Sequence, residues 1–288
     1  MARTDIVISA NPVLDYETFE LTLDPSRYLN PKTTHRDMTR YYQASFDLVV
    51  NSREEALEFL NNGLMREVRF YNDKAQVDWV GFINTIELDT GTAKIQSSLN
   101  DMSNSVWVRH TPVGGGAVVR SAVFDHAVSQ GRFGTKEQVI GGGEISAAIA
   151  DQIAENTLDL VFWPSPQLKT INLGGSLLEE PRVTCKCFGY WKTLMWQVYN
   201  QTINVGEIAA ASVIQDIVTT SGPFINNSFL SANASLITRE YDADRRAWDI
   251  ISSICDIGNV SGDIFIAYFD ENRNFIYNVA APPTRAGA

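Results

Sequence analysis

Cys185 and Cys187, one residue apart, would set two thiols on one face of a strand, a spacing that a soft metal ion can use. A closed zinc site needs further ligands, and Cys255, His35, His110 and His126 are scattered with no second close pair, so no metal site is assigned. Asp125, His126 and Ser129 bring the residue types of nucleophilic catalysis close together along the chain. No nucleophile elbow surrounds them, and the segment reads as a flexible connector, so they are not assigned as a triad. A pair of carboxylates for glycoside cleavage meets in space rather than along a chain, and nothing here nominates one. Gly114–Gly116 and Gly141–Gly143 could cradle phosphate, but neither continues into Lys-Ser/Thr or into a dinucleotide fingerprint. Both read as linkers, with a helix N-terminus before Glu144 as the alternative for the second. Trp107, Trp163, Trp191 and Trp196 could stack on sugar rings, yet tryptophans spread through apolar runs belong more often to a core. No catalytic, cofactor-binding or metal-ligating residue is therefore assigned, and no enzyme is expected.

Composition narrows the class. With 288 residues and 44% hydrophobic content the chain can bury a sizeable core and is expected to split into two domains. Its 34 acidic and 23 basic side chains leave a net charge of −11, the wrong sign for wrapping nucleic acid or an anionic membrane. Such a surface suits solubility, or a wall that nucleic acid must pass without sticking. Three cysteines form no disulfide framework and are expected reduced and packed. No stretch approaches a membrane span, and the N-terminus lacks a basic-then-apolar signal, so a cytosolic product is expected.

The elements that must carry these residues are mostly strands. Val77, Trp79, Gly81, Ile83, Ile86 and Leu88 precede the turn Asp89-Thr90-Gly91, and Thr92–Leu99 alternates after it, which predicts a hairpin. Gly81 marks a bend or the close approach of another backbone. Residues 1–40 read as an N-terminal arm with short runs at Ile6–Ser9 and Phe19–Leu23 and a connector through Pro25, Pro31, Thr33 and Thr34. Residues 41–112 read as a first barrel-like domain: a strand from Tyr41, a helix capped by the Ser52/Glu55 pair, a strand at Glu67–Tyr71, a turn at Asn72–Lys74 and the hairpin. Residues 113–180 read as a connector with one helix, whose apolar face carries Ile145, Ala148, Ile149 and Ile153, followed by an extended Leu158–Trp163. Residues 181–280 read as a second domain. It opens on the alternating Val183, Cys185 and Cys187, and carries helices over Gly206–Ser221 and from about Asp242 to Ile257, with Gly222-Pro223 stopping the first and an Asp capping the second. A hairpin of Ile264–Phe269 and Phe275–Tyr277 closes it, and residues 281–288 form a frayed tail. The fold class is α+β, mainly antiparallel β.

Three segments resemble structural proteins of the tailed-bacteriophage tail tip, the baseplate or tail hub. They are Trp79–Asn84 with Asp89-Thr90-Gly91 and Leu99–Met102; Asp125–Glu137 with the helix through Ala154; and Asp244–Ile251 with Gly262-Asp263 and the closing hairpin. Their order along residues 40–280 carries the likeness. The resemblance implies two tail-tube-like β-barrels with packed helices, joined by a helical connector. Three chains would then form a ring that adapts a sixfold tail tube to a threefold tip around the DNA channel. It further implies a homotrimer, or a hexamer if the chain is a distal-tail adaptor. The implied partners are the tail tube or distal-tail protein, a tip or spike protein and the tape measure protein. DNA would meet the chain only in passage through an acidic lumen, and no membrane insertion of its own is implied. The expected location is the virion tail tip, assembled in the host bacterial cytoplasm. Trp79, Gly81, Phe82 and Ile83 are expected in the core of the first barrel, and Trp248, Ile251 and Phe265 in that of the second. A receptor- or carbohydrate-binding module is the alternative of another class.

Overall fold

The computed structural model describes residues 5–12, 20–23, 25–36, 39–178, 181–199, 207–222, 224–238 and 245–280. Phe19, Gly206, Pro223, the expected Asp242 helix start with its cap, and the 281–288 tail lie outside the described residues. The chain forms two units. One takes the residues up to Thr34 and Gln43–Phe188, the other His35–Tyr42 and the residues from Gly189 onward.

The first unit opens with β1 (Asp5–Ser9), which buries Ile6 and Ile8 and pairs antiparallel with both β2 (Glu20–Leu23) and β5 (Glu67–Tyr71). The segment expected as an arm is thus an integral strand. The Pro- and Thr-rich connector is also largely a strand, β3 (Tyr28–Arg36); Pro31 is tolerated because β3 ends the sheet, where a missing N–H breaks no ladder. β4 (Arg40–Val49) alternates as expected, with Ala44, Phe46 and Leu48 buried. Helix α1 (Arg53–Asn62) starts at Ser52, whose Oγ accepts the Glu55 N–H at 3.1 Å. The Glu55 carboxylate reaches one residue further back than a standard capping box and accepts from the Asn51 N–H at 2.8 Å. β6 (Val77–Asp89) and β7 (Ala93–Ser98) form the expected hairpin, turning through Gly91 at φ 84°.

β8 (Ser105–Thr111) is the spine of a second, smaller sheet, flanked by β9 (Val119–Arg120), β10 (Phe124–Asp125) and, in parallel, β11 (Glu137–Glu144). Between them lies α2 (Ala127–Phe133). The Gly141–Gly143 stretch is therefore not a linker but the end of β11, with a register shift between Gly141 and Gly143. A Cβ at Gly142 would sit 2.7 Å from Val108 Cγ1, so the glycine is needed for close packing against β8. Helix α3 (Ala147–Val161) continues through residues expected to be extended. It buries Ala150, Ala154 and Leu158 against Val106 and Val108, while Ala148 and Ile149 are exposed. Ile145 and Ile153 pack against this core from its margin, as expected, but the centre of the buried stripe is turned toward Ala150, Ala154 and Leu158.

The chain returns through β12 (Gln167–Ile171), antiparallel to β7, and β13 (Arg182–Phe188), which inserts between β4 and β6. The order β2-β1-β5-β6-β13-β4-β3, with β7 and β12 branching from β6, makes a nine-stranded, half-barrel sheet that does not close among the described residues. Its buried face holds Phe46, Phe70 and Trp79, with ring centroids 6.0 Å and 5.6 Å apart in sequence, and α1 adds Phe59 and Leu60. β13 was expected to open the second domain. Its alternation identifies a strand, but only the two open edges of β4 and β6 decide where it pairs.

In the second unit, β14 (Glu207–Ala209) pairs with β16 (Leu236–Thr238), and β15 (Ser228–Leu230) lies parallel to β18 (Phe275–Val279), which pairs antiparallel with β17 (Phe265–Phe269). Helix α4 (Ala210–Ser221) buries the expected stripe of Ala210, Val213, Ile214, Ile217 and Val218. Helix α5 (Ala247–Ile257) buries Ala247, Ile250, Ile251 and Ile254, begins at Arg246 without a side-chain cap bond, and ends at Gly258 with φ 69°. The architecture is mixed α+β with mostly antiparallel strands.

Candidate functional site

The face of the large sheet opposite its core is a polar surface laid out by strand register. On β13, Val183, Cys185 and Cys187 point inward, which turns Arg182, Thr184, Lys186 and Phe188 to the other face. Thr184 stands opposite Asp47 of β4 and Glu87 of β6, and Glu87 opposite Gln96 of β7, itself opposite Gln167 of β12. The neighbouring row reads Ser45, Lys186, Thr85 and Ser98. Arg182, Asp89 and Lys94 form a third. Acidic and basic groups alternate over this face.

Its charges are specifically partnered. Asp47 accepts from Thr184 Oγ1 at 2.7 Å and from Asn30 Nδ2 at 2.8 Å. Lys94 Nζ lies 3.5 Å from Glu87 and 3.4 Å from Asp89; the hydrogen bond to Asp89, then the charges of both acids, hold its ammonium above the usual lysine range. Thr85 Oγ1 and Ser98 Oγ lie 2.8 Å apart beneath the surface. A concavity of about 480 Å³ opens over them between β3, β4, β13, β6 and β7. β12 is exposed at all five residues, and Leu168, Ile171, Leu173 and Leu177 on and after it are large apolar groups facing solvent.

The residues weighed for chemistry are otherwise engaged. Ser129 is fully buried; its Oγ donates to the Phe162 carbonyl at 2.5 Å and accepts from Asn104 Nδ2 at 3.2 Å. His126 Nδ1 accepts the Ser129 N–H at 3.2 Å, capping α2, and the imidazole stacks on Phe162 at 4.0 Å. Asp125 accepts from Gln130 Nε2 at 2.8 Å. The three side chains thus tie down a packed helix rather than a flexible connector, and form no nucleophile–base pair. Cys185 and Cys187 do share one face, as their spacing predicts, and are buried; burial pushes both thiols up, well above the usual range. Burial likewise pushes Cys255 up to about 12. Among the described residues no group of three or more His, Cys, Asp or Glu side chains could hold a metal ion, and no helix is long and apolar enough to cross a membrane.

Trp79, Gly81, Phe82, Ile83, Trp248, Ile251 and Phe265 are all buried, as expected of core residues. Of the tryptophans considered for sugar stacking, Trp107, Trp191 and Trp196 are buried and Trp163 is half-buried. The Arg120 guanidinium covers the Trp107 ring at 3.8 Å, and Tyr42 stacks on Trp191 at 5.2 Å. The two rings are covered from within the chain. The polar face escaped the sequence reading because it depends on β13 crossing from a distant segment into register with β4 and β6.

Comparison with known proteins returned no matching family model, curated protein or solved structure.

Proposed function

We propose that this chain is a structural component of a bacteriophage tail tip, a hub protein whose copies close into a ring around the DNA channel. One observation carries the reading: among the described residues, a half-barrel sheet with one apolar and one hydrophilic face stays open at its two ends, β2 and β3, and at the fully exposed β12 that branches from it. Open edges of this kind invite pairing with another chain, and head-to-tail pairing of two different edges generates a ring when the rotation closes. In such a ring the hydrophilic face lines the lumen. Its charge is mixed, Lys94, Arg182 and Lys186 interleaving with Asp47, Glu87 and Asp89, whereas the resemblance implies an acidic lumen. The ring is read as a homotrimer with two barrel positions per chain, joining the tail tube or distal-tail protein to a tip or spike protein, with the tape measure protein and then DNA passing inside. Its place is the virion, after assembly in the host cytoplasm.

A second reading has support of its own. With β13 in the first unit, the largest sheet among the described residues of the second unit has three strands, which favours one ring position per chain and a hexameric distal-tail adaptor. Light scattering across a concentration series separates the two. A stable trimer supports the hub, a hexamer the adaptor, and a strict monomer at all concentrations counts against ring closure by this chain alone.

A further inference from the structure

Two lysines on the polar face have no acidic partner among the described residues, in a chain whose net charge is −11. Lys186 projects from β13 between Ser45 and Thr85, and both are exposed-face neighbours in register. The carboxylates diagonal to it are already occupied, Asp47 by Asn30 and Thr184, and Glu87 by Lys94. Lys32, on β3, lines the same cavity of about 480 Å³ from a strand two positions away, a lateral separation of about 10 Å that two long side chains can span. Among the described residues Asp101 is the one carboxylate in the lining, against Lys32 and Lys186, so the formal charge of the described lining is positive.

The floor is pre-organised. Thr85 and Ser98 are 6% and 1% exposed, and Asn84, wholly buried, donates from Nδ2 to Thr85 Oγ1 at 3.1 Å. Each hydroxyl carries one hydrogen, and the 2.8 Å Thr85–Ser98 bond uses one of the two. Where Thr85 is the donor, the other hydrogen is that of Ser98, whose acceptor among the described residues is the Asn84 backbone carbonyl at 3.5 Å, a distance at the limit of hydrogen bonding. A ligand offering a strong acceptor takes that hydrogen, and the two ammoniums fix its charge.

We propose that this cavity binds a phosphate group, held by Lys32 and Lys186 and received at its floor by the Thr85–Ser98 hydroxyl pair. Ammoniums act on phosphate as point charges, while hydroxyl hydrogens give direction. The inference goes beyond ring assembly and holds for the isolated chain. Two sources carry this chemistry: the free ion and the phosphodiester of a nucleic acid strand.

The test is equilibrium dialysis of the full chain against radiolabelled inorganic phosphate at about 0.1 M ionic strength. Saturation near one phosphate per chain is expected, weakened by about tenfold or more in K32Q/K186Q; both lysines are exposed, so the variant keeps the fold, as circular dichroism will verify. A parallel titration uses a fluorescent thymidine oligonucleotide. Oligonucleotide binding displaced by phosphate assigns the site to a phosphodiester, and phosphate binding alone assigns it to the free ion. No saturation below about 10 mM phosphate or equal affinity in the double variant overturns the proposal. A trimer that binds no phosphate overturns this inference and leaves the hub reading standing; a monomer that binds it does the reverse.

Discussion

Gly81 has no room for even one more carbon. A Cβ there would lie 2.2 Å from the Phe188 carbonyl oxygen and 2.8 Å from its carbonyl carbon, both backbone atoms of the neighbouring strand. Backbone held in a ladder cannot yield as a side chain does, so β6 and β13 would have to part. Gly81→Ala is expected to destabilise the chain by about 3 kcal/mol. Gly141→Ala, with nothing within 4 Å of the added carbon, should change stability by less than about 0.5 kcal/mol. Urea unfolding of the two variants measures the contrast, and equal losses would show that β13 does not press on β6 as described. Asn233 shows the same residue-scale logic in the second unit. It is buried, donates to Tyr277 Oη at 2.7 Å and to the Gly258 carbonyl at 3.2 Å, and accepts from the Ser235 N–H. Burial pushes the Tyr277 phenol up to about 12, so that it stays a neutral hydroxyl in this knot.

At the scale of the element, α1 depends on how its first turn is closed. Ser52 satisfies one orphan amide, and Glu55 accepts from the Asn51 N–H and pairs with Arg27. Burial alone would raise the Glu55 carboxyl, but the Asn51 hydrogen bond and Arg27 outweigh it and bring it below the usual range. A depressed folded-state value adds stability above the unfolded-state value near pH 4.3 and loses it as pH falls through the folded-state value. Glu55→Gln should therefore cost about 1 kcal/mol near neutrality, and the gap to wild type should close as pH is lowered below about 4. Denaturant midpoints from pH 7 to pH 3 test this; a gap that persists unchanged in acid would assign the cost to packing instead. The helix matters beyond its own turns because Ala56, Phe59 and Leu60 complete the core under the large sheet.

For the whole molecule the open question is what the exposed edge of β12 meets. Leu168 is 57% and Leu173 97% exposed, more apolar surface than a free edge strand ordinarily leaves to water. If β12 is a seam of the proposed ring, L168D/L173D will shift assembly at least about tenfold toward monomer. Its unfolding free energy will stay within about 0.5 kcal/mol of wild type, since neither side chain is part of the core. Sedimentation velocity alongside thermal unfolding reads both quantities. Oligomers undisturbed by two buried charges would remove β12 from the interface.

Local pattern was enough for several elements whose partner lies next to them in the chain. The β6–β7 hairpin, the Ser52 start of α1, the stripe of α4, the Gly258 end of α5 and the closing β17–β18 hairpin follow from periodicity and from where glycine can turn. Even the close approach at Gly81 was legible, since a glycine amid large core residues has few other uses. What the sequence could not determine is which distant segment comes near. Cys185 and Cys187 announce a strand, but its insertion between β4 and β6 depends on two open edges more than ninety residues earlier. Three glycines conceal β11, because the signal of a strand resides in side chains that they lack, and only at Gly142 does close packing against Val108 account for the missing one. The polar face with Lys32, Lys186, Thr85 and Ser98 exists only after those pairings are made. Periodicity is a property of neighbours in the chain, whereas a sheet face is a property of neighbours in space, and only the tertiary structure decides the second.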